Sequence, residues 1–285
     1  MAEIDKFKTS QEITWCQGCG NFGIWVALRQ ALLKLNLSPE DVLVVYGIGC
    51  HGHMVNYLKA YGFGGLHGRG IPMATGAKIS NHNLNVIVVA GDGDQLGEGG
   101  NHLIHAARRN INITSIIHDN QIYGLTVGQT SPTSGKGFKS RSTPQGSTEE
   151  PINPISLALA SGATFVARGF SGDVNQLVDV LARGIQHKGF SLVDILQPCV
   201  TLNHQNTYQW FYQRVYKLEA NNHNPKDKLQ AFQKALEGPE KIPTGIFYQE
   251  IKPTFEEQLP QLKENPLAKR DIGSIPIKDI MKEFL

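Results

Sequence analysis

From Asp41 to about Pro198 the chain alternates short runs of β-branched residues with longer amphipathic stretches. Strand-sized apolar runs separated by helix-sized stretches are the pattern of βαβ units, and they predict a parallel sheet covered by helices. The runs that predict strands are Val42–Tyr46, Val86–Ala90, Ile113–His118, Thr164–Arg168 and Ser191–Leu196. The expected fold class is therefore α/β, with a doubly wound and mainly parallel sheet. All but the fourth of these runs lead into polar or glycine-rich turns: Gly47-Ile48-Gly49-Cys50, Gly91-Asp92-Gly93-Asp94, Asp119-Asn120-Gln121 and Gln197-Pro198-Cys199. Ligands of doubly wound sheets bind at the carboxyl ends of the strands, so these turns mark the candidate site.

Two segments break the alternation. Tyr123–Pro151, ahead of a helix expected to begin near Pro154, is rich in Gly, Ser, Thr and Pro. A structureless stretch of that length inside a compact domain is usually a functional loop. After Asn203 the composition turns to Gln, Asn, Lys and Glu with scattered aromatics and prolines. This predicts a main domain over 1–202 and a C-terminal extension over 203–285 that wraps the core or a partner, too short and too polar for a second sheet domain.

Composition narrows the partners. A net charge of +2 over 285 residues, with no sustained basic stripe, gives no electrostatic case for nucleic acid or an anionic membrane. The longest apolar runs, such as Val86–Ala90, are too short to cross a bilayer, and the polar start Met1-Ala2-Glu3-Ile4-Asp5-Lys6 does not resemble a secretory signal, so the cytoplasm is the expected compartment.

Gly91-Asp92-Gly93-Asp94 directly follows one apolar run, and Asp119-Asn120 follows the next. Mg²⁺ takes hard oxygen ligands: one or two from carboxylates or amides, the rest from phosphates, carbonyls and water. Asp92 and Asn120, at neighbouring strand ends, supply the protein's share. Glycines let backbone N–H groups approach phosphates, and the helix expected from about Gly99 to Arg109 turns its positive end toward them. Alone, Gly-Asp-Gly is an ordinary turn. The four cysteines make a second constellation: Cys16 and Cys19 in a C-x-x-C, Cys50 after the first strand and Cys199 after the last. Four thiolates suit a 4Fe-4S cluster or a tetrahedral zinc, and spacing does not separate the two.

Longer strings carry a family resemblance: Leu66-His67-Gly68-Arg69, Ala74-Thr75-Gly76, Gly99-Gly100-Asn101-His102, Asp119-Asn120-Gln121-Ile122-Tyr123-Gly124-Leu125-Thr126 and Gly128-Gln129-Thr130-Ser131-Pro132-Thr133. With Gly-Asp-Gly-Asp, they resemble the beta subunits of 2-oxoacid:ferredoxin oxidoreductases over about residues 10–210. The resemblance implies thiamine diphosphate with Mg²⁺ held by Asp92, Asn120 and the Ile122 carbonyl, and one 4Fe-4S cluster on Cys16, Cys19, Cys50 and Cys199. It implies oxidative decarboxylation of a 2-oxoacid with coenzyme A to acyl-CoA and carbon dioxide, electrons passing through the cluster to ferredoxin. The pyrimidine half of the cofactor site is expected on an alpha, or fused gamma-alpha, partner. Gly47, Gly49, Cys50, Gly91, Gly93, Asp94 and Tyr123, Gly124, Leu125 and Thr126 are expected around the cofactor, with His67 and Arg69 on its diphosphate or substrate side.

Two other readings use the same residues: a non-redox thiamine-dependent decarboxylase subunit with structural zinc, and a non-catalytic assembly subunit. His51, His53, Glu98 and Val127 depart from the family pattern beside the cofactor and leave the identity of the 2-oxoacid open. His102, His105 and His118 are expected to be structural.

Overall fold

The computed structural model describes residues 5–263, 265–271, 273 and 277–284. An opening helix, α1 (Asn21–Lys34), precedes the alternating region and was not anticipated from it. The order then runs β1 (Val42–Tyr46), β2 (Tyr61–Gly64), α2 (Gly70–Ser80), β3 (Asn85–Gly91), α3 (Gly100–Arg109), β4 (Thr114–Asp119), α4 (Pro154–Ala160), β5 (Phe165–Phe170), α5 (Val174–Gln186) and β6 (Ser191–Leu196). Beyond Asn203 come α6 (Tyr208–Tyr212), β7 (Val215–Lys217), α7 (Lys228–Ala235), β8 (Ile242–Gln249) and α8 (Ile277–Lys282).

All eight strands form one sheet in the order β2-β1-β3-β4-β6-β5-β8-β7. Every pairing is parallel except that of β5 with β8. The residues after Asn203 are thus more than a wrapping: β8 extends the main sheet, with Phe247 fully buried against the core. The run Ile242-Pro-Thr-Gly-Ile-Phe-Tyr-Gln249 escaped the pattern because Pro243 and Gly245 break its apolar rhythm, and a register shift beside Ile246 accommodates it.

Alternation along the strands sends side chains to both faces. Ile24, Leu28 and Leu32 of α1 and Leu177 and Leu181 of α5 pack against Val42, Val44, Ile87 and Val89 on one face. On the other, Ile71 of α2, Leu103 of α3, Ile155 and Leu159 of α4 and Ala231 of α7 cover Val45, Val86, Val88 and Ala90. A sheet covered on both sides explains why its central strands read as continuous apolar runs. The chain leaves β1 for the edge strand β2, then crosses back to place β3 on the other side of β1. That reversal makes the carboxyl ends of β1 and β3 the topological switch point, where an open sheet leaves a crevice. Among the described residues, no helix is long and apolar enough to cross a membrane.

Candidate active site

Four adjacent strands, β1, β3, β4 and β6, deliver the four turns singled out in the sequence to one edge. An open cleft of about 470 Å³ there is lined by Ile48, Gly49, Cys50, His51, His67, Gly91, Asp92, Gly93, Asp94, Asn120, Ile122 and Tyr123–Thr126. Of the residues expected around the cofactor, Gly47 lies behind this lining, where a Cβ would collide with the Asp94 carboxylate. Arg69 stands apart: it caps backbone, Nη1 donating to the Glu98 carbonyl at 3.1 Å.

Asp92 is buried, and its Oδ2 accepts from both Ser131 and Thr133. Burial pushes its carboxyl above the usual range, and the two hydroxyls hold it partly down. Thr133 Oγ1 also lies 2.8 Å from Asp119 Oδ1. Burial raises the Asp119 carboxyl well above the usual range, reinforced by the charges of Asp194 and Asp92. Asp194 in turn pairs with Arg168 at 2.8 Å. The buried carboxylates outnumber their cation, which is the electrostatic setting a divalent ion corrects.

Asn120 has its amide oxygen 3.1 Å from the Ile122 N–H, and its carbonyl accepts from Asn203 at 3.1 Å. Directly after Asp92 the backbone enters one π-helical stretch, Gly93–Glu98, before α3 begins at Gly100. The helical N–H groups nearest the cleft therefore belong to Gly93 and its neighbours, six or so residues earlier than the sequence suggested.

Asp94 joins two histidines. Its Oδ1 accepts from the Gly68 N–H and lies 3.5 Å from His67 Nδ1, while Oδ2 lies 3.6 Å from His51 Nε2. The His51 nitrogen already accepts the Gly91 N–H at 3.1 Å, so it has no proton for Asp94 in the neutral ring. Asp94 Oδ2 is accordingly a buried oxygen without a partner among the described residues. The Tyr123 hydroxyl donates to the Gly93 carbonyl at 3.0 Å, with its ring beside His67.

A second cavity, of about 920 Å³, adjoins the first and is lined by all four cysteines. The two share Cys50, Asn120, Gly124 and Leu125. Burial raises the Cys19 thiol to about 11, and the neighbouring Cys199, Cys50 and Cys16 add to it. Cys50 is raised for the same two reasons, so the thiols feel one another. His53 and Val127 also line this cavity, and Val127 sits at φ +74°, rare for a β-branched residue. His102 and His105 are half-buried on α3, whereas His118 is buried and bonded to Asn21 and Gln197.

Ser131, Thr133 and Asn203 were not assigned to the site from sequence, and Gln197 and His51 were placed near it without a role. Ser131 and Thr133 lie in a string that resembles the family; all five act through partners far away in the chain.

These features define a class before a family. A profile described as the C-terminal thiamine pyrophosphate-binding domain of thiamine pyrophosphate enzymes matches residues 47–195, and one described as the C terminus of the pyruvate ferredoxin oxidoreductase beta subunit matches 199–264. The chain is 46% identical over 265 residues to a 2-oxoacid:ferredoxin oxidoreductase subunit beta of a Sulfolobus species, covering 88% of this chain and 87% of that one. It is 43% identical to its namesake from Saccharolobus solfataricus, covering 94% and 95%. A solved 2-oxoglutarate:ferredoxin oxidoreductase from Magnetococcus marinus, with 2-oxoglutarate, coenzyme A and succinyl-CoA bound, superposes with a TM-score of 0.90 at 34% identity, over 97% of this chain and 94% of that one. The chain belongs to the family of 2-oxoacid:ferredoxin oxidoreductase beta subunits. That membership favours an enzyme of redox chemistry over a zinc-bearing decarboxylase or an assembly subunit, and the designation beta implies an alpha partner.

Proposed function

We propose that this chain, with an alpha or fused gamma-alpha partner carrying the pyrimidine-binding half of the site, oxidatively decarboxylates a 2-oxoacid with coenzyme A to acyl-CoA and carbon dioxide, and passes the electrons to ferredoxin in the cytoplasm. The observation that carries the proposal is the pair of adjoining cavities, one walled by Asp92 and Asn120 and the other by four cysteines. Thiamine diphosphate supplies the electron sink for loss of carbon dioxide, and a 4Fe-4S cluster the one-electron acceptor.

In kind, the donors present suit both groups. The Asp92 carboxylate, the Asn120 amide oxygen and the Ile122 carbonyl would hold Mg²⁺, and the buried negative charge around Asp92 is what such an ion offsets. Gly91 and Gly93 line the cleft with bare backbone that diphosphate oxygens can approach. Asp94 anchors the His67–Gly68 turn through the Gly68 N–H, with His67 Nδ1 3.5 Å from its Oδ1 and the His67 ring in the cleft lining. Arg69 braces that turn against Glu98. Tyr123–Thr126 line the cleft, Gly124 and Leu125 facing both cavities, and Cys16, Cys19, Cys50 and Cys199 would hold the cluster.

Anaerobic purification with the partner, followed by assays for iron, acid-labile sulfide, thiamine and 2-oxoacid-dependent dye reduction, tests the proposal. Iron and sulfide in equal amounts, four of each per cluster site of this chain, are expected. Stoichiometric zinc without sulfide would remove the cluster, and full turnover by this chain alone would remove the split site.

A further inference from the structure

Gln197 stands between the cysteine cavity and the buried polar layer beneath the cleft, and the mechanism above does not use it. Its side-chain nitrogen donates to Cys19 Sγ at 3.5 Å, an ordinary length for N–H to sulfur. Its oxygen lies 3.1 Å from His118 Nδ1, which also lies 2.8 Å from Asn21 Oδ1. With both amide oxygens turned to it, the ring nitrogen carries a proton shared between Asn21 Oδ1 and Gln197 Oε1. With Oε1 on His118, the Gln197 NH₂ faces sulfur, whereas the reverse orientation would set an oxygen against the cluster-ligand thiolate at Cys19.

Everything around this amide is fixed. Gln197 is 2% exposed, and its backbone N–H donates to the Asp119 carbonyl at 2.9 Å. Gly20, next to Cys19, donates to the Pro198 carbonyl at 3.1 Å, which ties the C-x-x-C segment to the turn after β6. A Cβ on Gly20 would lie 2.5 Å from Gln197 Cγ, so a glycine at this position leaves the space the side chain occupies.

We propose that Gln197, oriented by His118, is a dedicated hydrogen-bond donor to the Cys19 sulfur that raises the reduction potential of the cluster. This rests on the cluster reading given above. A donor aimed at a ligand sulfur stabilises the more negative, reduced cluster over the oxidised one, so it makes the cluster a better acceptor. Gln197 is a positioning and tuning group, in contact with a ligand and not with substrate.

The test uses the anaerobically purified complex with its partner, comparing wild type with Gln197→Met, which keeps length and removes the donor. Iron and sulfide are counted first; their absence from wild type overturns the cluster reading itself. With the cluster present, the midpoint potential is followed by EPR during redox titration. Gln197→Met is expected to weaken reduction about three- to tenfold, a downward shift of ~30–59 mV at 59 mV per decade for one electron. An unchanged potential at full iron content overturns the inference and leaves the cluster in place. His118→Phe, which frees the amide to turn, should shift the potential in the same direction by less. Should Gln197→Met fail to keep its cluster, pulsed EPR of wild type labelled with ¹⁵N in glutamine side-chain amides decides. A nitrogen coupling to the reduced cluster supports the proposal, and its absence overturns it.

Discussion

The two ends of the parallel strands bury polar side chains on opposite terms. At the amino-terminal end, Asn110 closes α3 in the left-handed region at φ 54° and spends every polar atom on the chain itself. Its oxygen accepts from Thr164 Oγ1 and from the Phe190 N–H, each at 2.8 Å, and its nitrogen donates to the Pro253 carbonyl at 3.1 Å. Thr164 then meets His187 Nε2 at 2.8 Å. At the carboxyl end, Asp94 Oδ2, Asp194 Oδ1, His118 Nε2 and Asn21 Nδ2 are buried without partners among the described residues. Buried polar atoms satisfied within the chain belong to the architecture; the unpaired ones at the carboxyl end are those a ligand could meet, although His82 Nδ1, ahead of β3, is unpaired among the described residues as well.

The sharpest way to break this contrast is at Asp92. Replacement by Asn keeps an acceptor for Ser131 and Thr133 but removes the charge, so affinity for thiamine diphosphate with Mg²⁺ should fall at least about a hundredfold, roughly 2.7 kcal/mol. Thermal stability without cofactor should hold or rise, since a buried carboxylate raised by burial costs free energy. Calorimetric titration and scanning calorimetry read the two quantities separately; a lower melting temperature in the apo variant would mean Asp92 is part of the scaffold.

Asn110→Ala should do the opposite. It strands the Thr164 hydroxyl and the Phe190 N–H and forces a Cβ-bearing residue with no local hydrogen bonds into positive φ, at a cost of about 2–4 kcal/mol. Denaturant unfolding measures it, and cofactor affinity of the folded fraction should not move.

A gentler probe is pH. Burial lowers His187 from its ordinary 6.5 to about 4. The unfolded chain takes up this proton below about 6.5 and the folded chain resists it until about 4, so the associated stability is complete above 6.5 and is lost as pH falls through that window. His187→Gln should make the acid limb of the stability profile shallower between pH 6.5 and 4; an identical limb would assign acid sensitivity to other groups.

The smallest effect is expected at Val127. Relieving its positive φ with glycine should raise stability by at most ~1 kcal/mol, because glycine's freer unfolded chain offsets part of the gain. No change in unfolding midpoint would mean the loop already accommodates the strain.

Much of this contrast was legible in the chain because its signals are local. Val42–Tyr46 and Ser191–Leu196 are strands with the bounds their apolar runs indicate, and the turns after them carry their own chemistry in Gly, Asp, Asn and Cys. β2 was not legible, since Tyr61-Gly-Phe-Gly64 is four exposed residues, two of them glycine. Ser131 and Thr133 reach Asp92 across 39 and 41 positions, and Gln197 reaches Cys19 across 178. Distances of that kind are created by the fold and leave no periodicity to read.

The antiparallel seam between β5 and β8 also has a consequence for synthesis. β5 ends at Phe170, and the strand that covers its outer edge is finished only at Gln249, roughly eighty residues later. At ~5–20 residues per second a ribosome leaves that edge open for about 4–16 s. During this interval the nascent chain presents a buried-type strand, Phe165-Val-Ala-Arg-Gly-Phe170, with unpaired backbone groups, the kind of edge that recruits other chains. Crowded overexpression should therefore yield aggregates in which this segment is protected, and slower translation of residues 171–249 should worsen the yield.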